Sequence, residues 1–204
     1  MLKPTITTLF ILLCLTLSGC GQQEATFYDL IFEQDLILSK DDNEPFSGIY
    51  VEYYDLDRKK PKHRIEVDDG IFQGKFYHYY SSGSLHAEGT NKNGRFYGYH
   101  KVYWENGKLK QKIYFARDKA GYDYEYYESG QLSDLRHYNS EGQLHGRSFT
   151  FHRNGRIKEE KSYKNGNKNG MFLTKSPEGK LITIYSYKDG MLQEYARTKN
   201  KSLY

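Results

Sequence analysis

The segment from Gly98 to Leu109 reads Gly-Tyr-His-Lys-Val-Tyr-Trp-Glu-Asn-Gly-Lys-Leu, and its pattern decides the fold. A glycine opens a run in which aromatic residues recur, and the pair Asn106-Gly107 ends that run. Asn-Gly pairs tolerate the positive φ angles of tight hairpin turns, so we expect the chain to reverse there. Leu109 then begins a second run of the same type. The segment therefore predicts one antiparallel β-hairpin.

The same pattern recurs along most of the chain. Opening glycines stand at spacings of 26, 24, 23, 25 and 24 residues: Gly48, Gly74, Gly98, Gly121, Gly146 and Gly170. In the last five units a second glycine and then an aliphatic residue follow at fixed distances: Gly83, Gly107, Gly130, Gly155 and Gly179, then Leu85, Leu109, Leu132, Ile157 and Leu181. Closing turns are expected at Asp69-Gly70, Asn93-Gly94, Glu141-Gly142, Asn165-Gly166 and Asp189-Gly190. This repeat predicts an all-β fold, an elongated single-layer antiparallel meander of about twelve strands with almost no helix.

The side chains at fixed positions of the unit predict which face of the sheet is aromatic. Side chains alternate between the two faces of a strand, so positions three and five after the opening glycine share a face and position four lies on the other, solvated face. Position six carries a second aromatic ladder whose exposure the sequence leaves open. Aromatic side chains offer large contact areas in protein interfaces. The candidate binding residues are Tyr53, Tyr79, Tyr103, Trp104, Tyr126, Tyr127 and Phe151.

The first residues have the pattern of an export signal. Lys3 precedes an apolar run from Leu9 to Leu17 that is too short to span a bilayer as a helix. The string that follows, Leu17-Ser18-Gly19-Cys20, resembles the lipobox of bacterial lipoproteins. The resemblance implies that residues 1–19 are a cleaved signal peptide and that Cys20 is lipidated. Two or three acyl chains on that cysteine would anchor the protein stably to a membrane. An ordinary secretory signal with a chance cysteine is the alternative.

These patterns divide the chain into five parts. After the signal peptide we expect a lipidated cysteine and tether over residues 20–26 and a capping hairpin over residues 27–47. Apolar residues of that hairpin would cover the open end of the array: Leu30, Phe32, Leu36 and Leu38. Six repeats then occupy residues 48–194, and residues 195–204 form a charged tail. The residue after Cys20 is Gly21 rather than aspartate, which by resemblance favours the outer membrane, facing the periplasm.

Composition and motifs argue against several functional classes. Without Lys3 the chain has 29 basic and 26 acidic residues, too even a balance for a nucleic-acid binder. Cys14 lies in the leader and Cys20 would be lipidated, so no disulfide is expected. Catalytic sequence motifs and zinc-type histidine spacings are missing; a cluster of His78, His100 and His152 is the remaining metal alternative. We therefore expect no enzymatic activity, cofactor, metal or small-molecule substrate.

The repeat unit resembles the bacterial variant of the MORN repeat, and the resemblance extends from about Pro45 to Gly190. It implies twisted single-layer sheets of stacked hairpins, and bacterial relatives of this type look like antitoxin or immunity proteins. The leading hypothesis is a membrane-anchored, non-catalytic protein-binding module, an immunity protein that neutralises an envelope-acting toxin. The alternative is a structural or lipid-contacting envelope protein, in which basic residues beside the turns meet anionic head groups.

Overall fold

The computed structural model describes residues 22–33, 36–116 and 119–197, and these residues form an open sheet with one short hairpin beside it. One 3₁₀ turn, Phe27–Asp29, is the sole helical element among them. The strands are β1 Glu24–Ala25, β2 Leu30–Glu33, β3 Leu36–Ser39, β4 Gly48–Tyr53, β5 Pro61–Asp68, β6 Ile71–Tyr79, β7 Leu85–Lys92, β8 Arg95–Tyr103, β9 Leu109–Ala116, β10 Lys119–Tyr126, β11 Leu132–His137, β12 Gly146–Phe151, β13 Ile157–Lys164, β14 Asn167–Lys175, β15 Leu181–Lys188 and β16 Met191–Arg197. The predicted all-β fold is confirmed.

The sheet has fourteen strands, and from β4 onward their order in space is their order in the chain. Each of these strands pairs antiparallel with the next one, as in the predicted meander. The sheet has two strands more than the expected twelve or so, because β1 and β16 extend it at its two ends. β1 differs from the other strands, since it pairs with β4 in parallel through Glu24 and Ala25.

The predicted turns fall into two types. Closing turns have positive φ at both central residues, for example 52° at Asn93 and 73° at Gly94, as in type I′ hairpins. Mid-unit turns instead use one glycine, such as Gly107 with φ 80°, whose N–H donates to the carbonyl of Trp104. Glu141-Gly142 was predicted as a closing turn, but it has this second geometry, because Gly142 donates to the Asn139 carbonyl.

A β-bulge recurs in the second strand of every unit. The register skips one residue there, and the skipped residues are Lys62, His86, Lys110, Ser133, Lys158 and Ile182. Bulges bend the strand that carries them and increase its local right-handed twist. A bulge at the same place in each unit therefore adds a similar bend at each step of the array.

The N-terminal hairpin packs on a sheet face rather than over the end of the array. β2 and β3 pair with each other and place Leu30 and Ile37 in a core with Tyr50 and Val67 of the first unit. The outer edge of β4, which the hairpin was expected to cover, is instead paired by β1. The two residues of β1 cover part of that edge, because their parallel ladder pairs backbone groups of Ile49 and Tyr50 that an edge strand would leave open.

One position in every unit is deeply buried although the sheet is a single layer. It lies two residues after the opening glycine and forms the position-two row: Tyr50, Phe76, His100, Asp123, Ser148 and Phe172, with exposures of 5–9%. Position four shares this face, and its residues, including Glu52 and His78, are partly buried. The expectation of a simply solvated face was therefore wrong. Neighbouring strands on both sides shield the row.

Candidate protein-binding face

The cross-strand register places the predicted aromatic residues of positions three and five on one face of the sheet, which we name the tyrosine face. Register places positions three and five together there, and the Phe149 and Phe151 rings lie 6.3 Å apart. The partner of each position-five residue in units two to six is the predicted aliphatic residue, for example Leu85 opposite Tyr79 and Leu109 opposite Tyr103. The aromatic members of the face are Tyr53, Tyr77, Tyr79, Tyr99, Tyr103, Tyr114, Tyr122, Tyr124, Tyr126, Phe149 and Phe151.

Most of these rings are half-buried by their neighbours, and the hydroxyl of Tyr103 is engaged within the sheet. The Tyr103 hydroxyl donates to Glu88 Oε1 at 2.7 Å, and Lys101 Nζ donates to the same oxygen at 2.8 Å. These two bonds lower the pKa of Glu88, the Lys101 bond most. Burial, followed by the carboxylate, raises the pKa of Tyr103. Tyr103 is thus held neutral and fixed in orientation, which reduces the entropy cost of contacting a partner.

The densest exposed part of the tyrosine face lies at the middle of the sheet and was missing from the predicted set. Tyr99 and Tyr122 are 52% and 45% exposed, and Tyr114 pairs with both across the strands. Lys112 Nζ stands 4.1 Å above the Tyr99 ring, and the His137 ring stacks on Tyr122 at 4.6 Å. We name these five residues the central patch. Position one is aromatic in just two units, so the repeat gave no signal for it.

The position-six ladder proves to be structural. Each of its first five side chains donates a hydrogen bond to the backbone carbonyl of position five in the next unit, at distances of 2.7–3.3 Å. We name these bonds the turn latches: Tyr54 to Tyr79, Tyr80 to Tyr103, Trp104 to Tyr126, Tyr127 to Phe151 and His152 to Lys175. Trp104 and Tyr127 were predicted as binding residues, and their polar hydrogens are already used to tie units together.

Cations cover part of the latch rings. Lys110 Nζ lies 4.6 Å from the centre of the Trp104 ring, and the Arg153 guanidinium lies 4.8 Å from that of Tyr127. These four residues line a cavity of about 400 Å³ together with Glu125 and others. Cations over aromatic rings are attracted by the ring quadrupole and stiffen the surface.

Opposite the central patch, on the other face, the position-two row becomes charged. Arg136 lies 3.0 Å from Asp123, 2.6 Å from Glu125 and 3.5 Å from Asp134. Burial opposes the charge of Arg136, but the hydrogen bond to Glu125 and the attraction of all three carboxylates raise its pKa. The guanidinium of Arg136 compensates the buried carboxylate of Asp123, so this cluster is a structural ion-pair network.

The histidines are placed differently from the metal cluster that the sequence left open as an alternative. His78 contacts His63 through their Nδ1 atoms, whereas the Phe76 ring stands between His78 and His100. Burial, with the nearby imidazoles of His63 and His86, lowers the pKa of His78 to about 4. His152 belongs to a turn latch. Within the described ranges no group of three ligating side chains is arranged to hold a metal ion.

Comparison with known families gives a match within this array. Two stretches, residues 96–116 and 144–165, match the MORN repeat variant. The first contains β8 and β9 with part of the central patch, and the second contains β12 and β13. No curated protein matches the chain. The matched repeats indicate a module that binds proteins or contacts membranes.

Two predictions concern the membrane. The predicted lipidation site, Cys20, and the signal peptide lie outside the described residues. Among the described residues, none of the helical segments has the length and apolar character of a membrane span.

Proposed function

We propose that this protein is a lipid-anchored, non-catalytic protein-binding module of the bacterial envelope, and most concretely an immunity protein that neutralises an envelope-acting toxin. The observation that carries the proposal is the central patch. The patch is a half-exposed cluster of tyrosines, and tyrosine is one of the residue types enriched in protein–protein hot spots. The turn latches and cross-strand pairs hold the patch on a rigid sheet, so little order has to be created on binding.

The anchor hypothesis supplies the location. A lipidated Cys20 would stand four residues before β1, so the array would be held close to the membrane where an envelope toxin acts. Replacement of Cys20 by Ser tests this step. We expect the natural chain, produced in a bacterial host, to incorporate labelled palmitate and sediment with membranes, and the variant to do neither. Incorporation of label by the variant would contradict the proposed anchor.

The binding function is tested by affinity capture from envelope extracts and by a toxicity assay with the toxin encoded beside the gene. We expect the full chain to retain one partner and to protect cells. A variant with Tyr99→Ser and Tyr122→Ser should lose both properties. Leu56→Ser is the matched control, because Leu56 is 97% exposed in the first unit, far along the sheet from the patch. Equal loss in both variants, or no partner and no protection, would overturn the proposal.

A second candidate is a lipid-contacting envelope component. The basic residues at the turns favour it, but several of them are engaged in the fold: Lys108 donates to the Ser129 carbonyl and Lys168 lies over the Tyr187 ring. Flotation of the unlipidated chain with vesicles of phosphatidylethanolamine and phosphatidylglycerol distinguishes the two functions. A protein-binding module should stay in solution in this assay.

A further inference from the structure

Within the part of the chain that the structure describes, the last repeat is half a unit. Six units supply a first and a second strand each, from β4 to β15, and β16 then repeats the geometry of a first strand. Its Tyr195 pairs with Tyr185 as Phe172 does on the other side of β15. Tyr195 therefore occupies position two of a seventh unit, and the described residues contain no second strand beside it.

Without a second strand beside it, the side chain of Tyr195 is far more exposed than the equivalent side chains of the six complete units. The six members of the position-two row are 5–9% exposed, whereas Tyr195 is 52% exposed. One side of its ring stacks on Tyr185 at 4.7 Å, and the other side faces the place of a next strand. Met191 and Leu192 of the same strand are 68% and 54% exposed. The six complete units are thus internal controls for what an added strand would bury.

The two ends of the sheet differ in how far their edge strands are covered. At the first end the short strand β1 pairs with β4, and Tyr50 is 9% exposed. Natural edge strands are commonly protected by proline or by charged side chains, above all lysine; β16 has no proline or lysine, and its charged residues are Glu194 and Arg197. An exposed edge that offers backbone groups and an apolar row has the properties of a receptor for an added strand.

We propose that β16 binds an extended segment of a partner protein, which adds antiparallel to the sheet and completes the seventh unit. The inference rests on the proposed protein-binding function and names one way in which the partner is held. The complete units also indicate the chemistry of that segment. Tyr50, the one tyrosine of the position-two row, has Ile65 opposite it, so an aliphatic residue fits opposite Tyr195. Elsewhere the opposite residue varies: Gly89, Ile113, Arg136, Lys161 and Tyr185. A hydrogen-bond donor or a base fits opposite Glu194.

A partner segment fits this edge better than a second copy of the chain. Glu194 is the middle residue of β16, and antiparallel self-pairing about it would set two carboxylates directly opposite each other. Self-pairing through seven residues on each side also falls well short of the roughly 800 Å² per partner that stable interfaces bury. A partner protein can add contacts along the tyrosine face.

The experiment uses a fluorescent peptide with the sequence of residues 109–116 and the full chain. In the chain this segment sets Ile113 opposite position two, and on β16 it would set Ile113 opposite Tyr195 and Tyr114 opposite Glu194. We expect saturable binding by fluorescence anisotropy, and a loss of about tenfold in affinity for Tyr195→Lys. Tyr97→Lys is the matched control, since Tyr97 is 50% exposed but lies on β8, outside the central patch. It should bind the peptide as the natural chain does.

Amide hydrogen exchange supplies a second readout. The β16 amides that do not bond to β15 should exchange rapidly in the free protein and slowly with peptide bound. Slow exchange in the free protein, no saturable binding, or equal weakening by both variants would overturn the inference. So would a dimer that Tyr195→Lys dissociates, because the occupant would then be a second copy. If Tyr195→Lys still captures the partner from envelope extracts, the inference fails while the proposed function stands.

Discussion

Replacing Tyr127 by Phe removes one turn latch and leaves the ring in place. The hydroxyl donates to the Phe151 carbonyl at 2.7 Å from a partly buried position, and Arg153 lies 4.8 Å above the ring in either case. Loss of one such bond lowers the free energy of unfolding by about 1 kcal/mol. For a chain of this size the melting temperature should fall by about 2–4 °C.

The assay is urea unfolding followed by circular dichroism and by the fluorescence of Trp104, the single tryptophan, which forms the preceding latch. Tyr122→Phe is the control, because its ring is half exposed on the tyrosine face and the change should be within about 0.5 kcal/mol of neutral. Tyr80→Phe, two units away, should add to Tyr127→Phe within about 0.5 kcal/mol. Indistinguishable losses in the Tyr127 and Tyr122 variants would refute the structural role of the latches.

Further predictions concern the protonation of one histidine, a turn glycine and a strand glycine. The folded pKa of His78, about 4, lies below its unfolded value, so stability is complete above about pH 6.5 and declines as the pH falls toward 4, by about 1–2 kcal/mol after allowance for partial exposure. Urea unfolding at both limits should show this decline, and His78→Gln should remove most of it. Gly83→Ala should cost about 1–2 kcal/mol through backbone strain alone, because φ is 90° and no atom lies within 4 Å of the added carbon; Gly121→Ala, without positive φ, should cost clearly less by thermal melting. Gly89→Ala should cost about 1–3 kcal/mol in the same assay, since its Cβ would lie about 2.5 Å from the rings on either side; a neutral result would mean that the rings move apart freely.

The sequence predicts the meander because its turn chemistry is local. Asn93-Gly94 and Gly107 adopt the positive φ values that their residue types favour. Because the turns are short, each strand from β5 to β15 pairs with the strands that directly precede and follow it in the chain. Glu141-Gly142 misled the prediction because its glycine alone does not specify the turn type. The parallel pairing of β1 depends on tertiary contacts at Ala25 rather than on any pattern in those two residues.

The candidate site is partly visible in the sequence. Strict alternation within the first strands fixes which face is rich in tyrosine, and this prediction was confirmed by the cross-strand partners. The position-two row is hidden because its residue types vary from Phe76 to Asp123 and Ser148 while burial stays constant. The turn latches carry a recognisable signal in hindsight, namely aromatic side chains with a polar hydrogen at one position in five successive units. Interpreting that signal requires the structure, which shows that the position-five carbonyl of the next unit lies within hydrogen-bond distance of the position-six side chain.

The turn latches also determine how this chain would acquire its structure. Every latch joins residues 22–25 positions apart, and strand pairing likewise links each hairpin with its immediate successor. Loop-closure entropy is therefore small at each step, and an existing hairpin is a template for the one that follows. During synthesis or export from the amino terminus, each hairpin can therefore fold as soon as it emerges, because its pairing partners are the hairpins next to it in the sequence. Local damage in one hairpin would then interrupt propagation at that point and spare what had already formed.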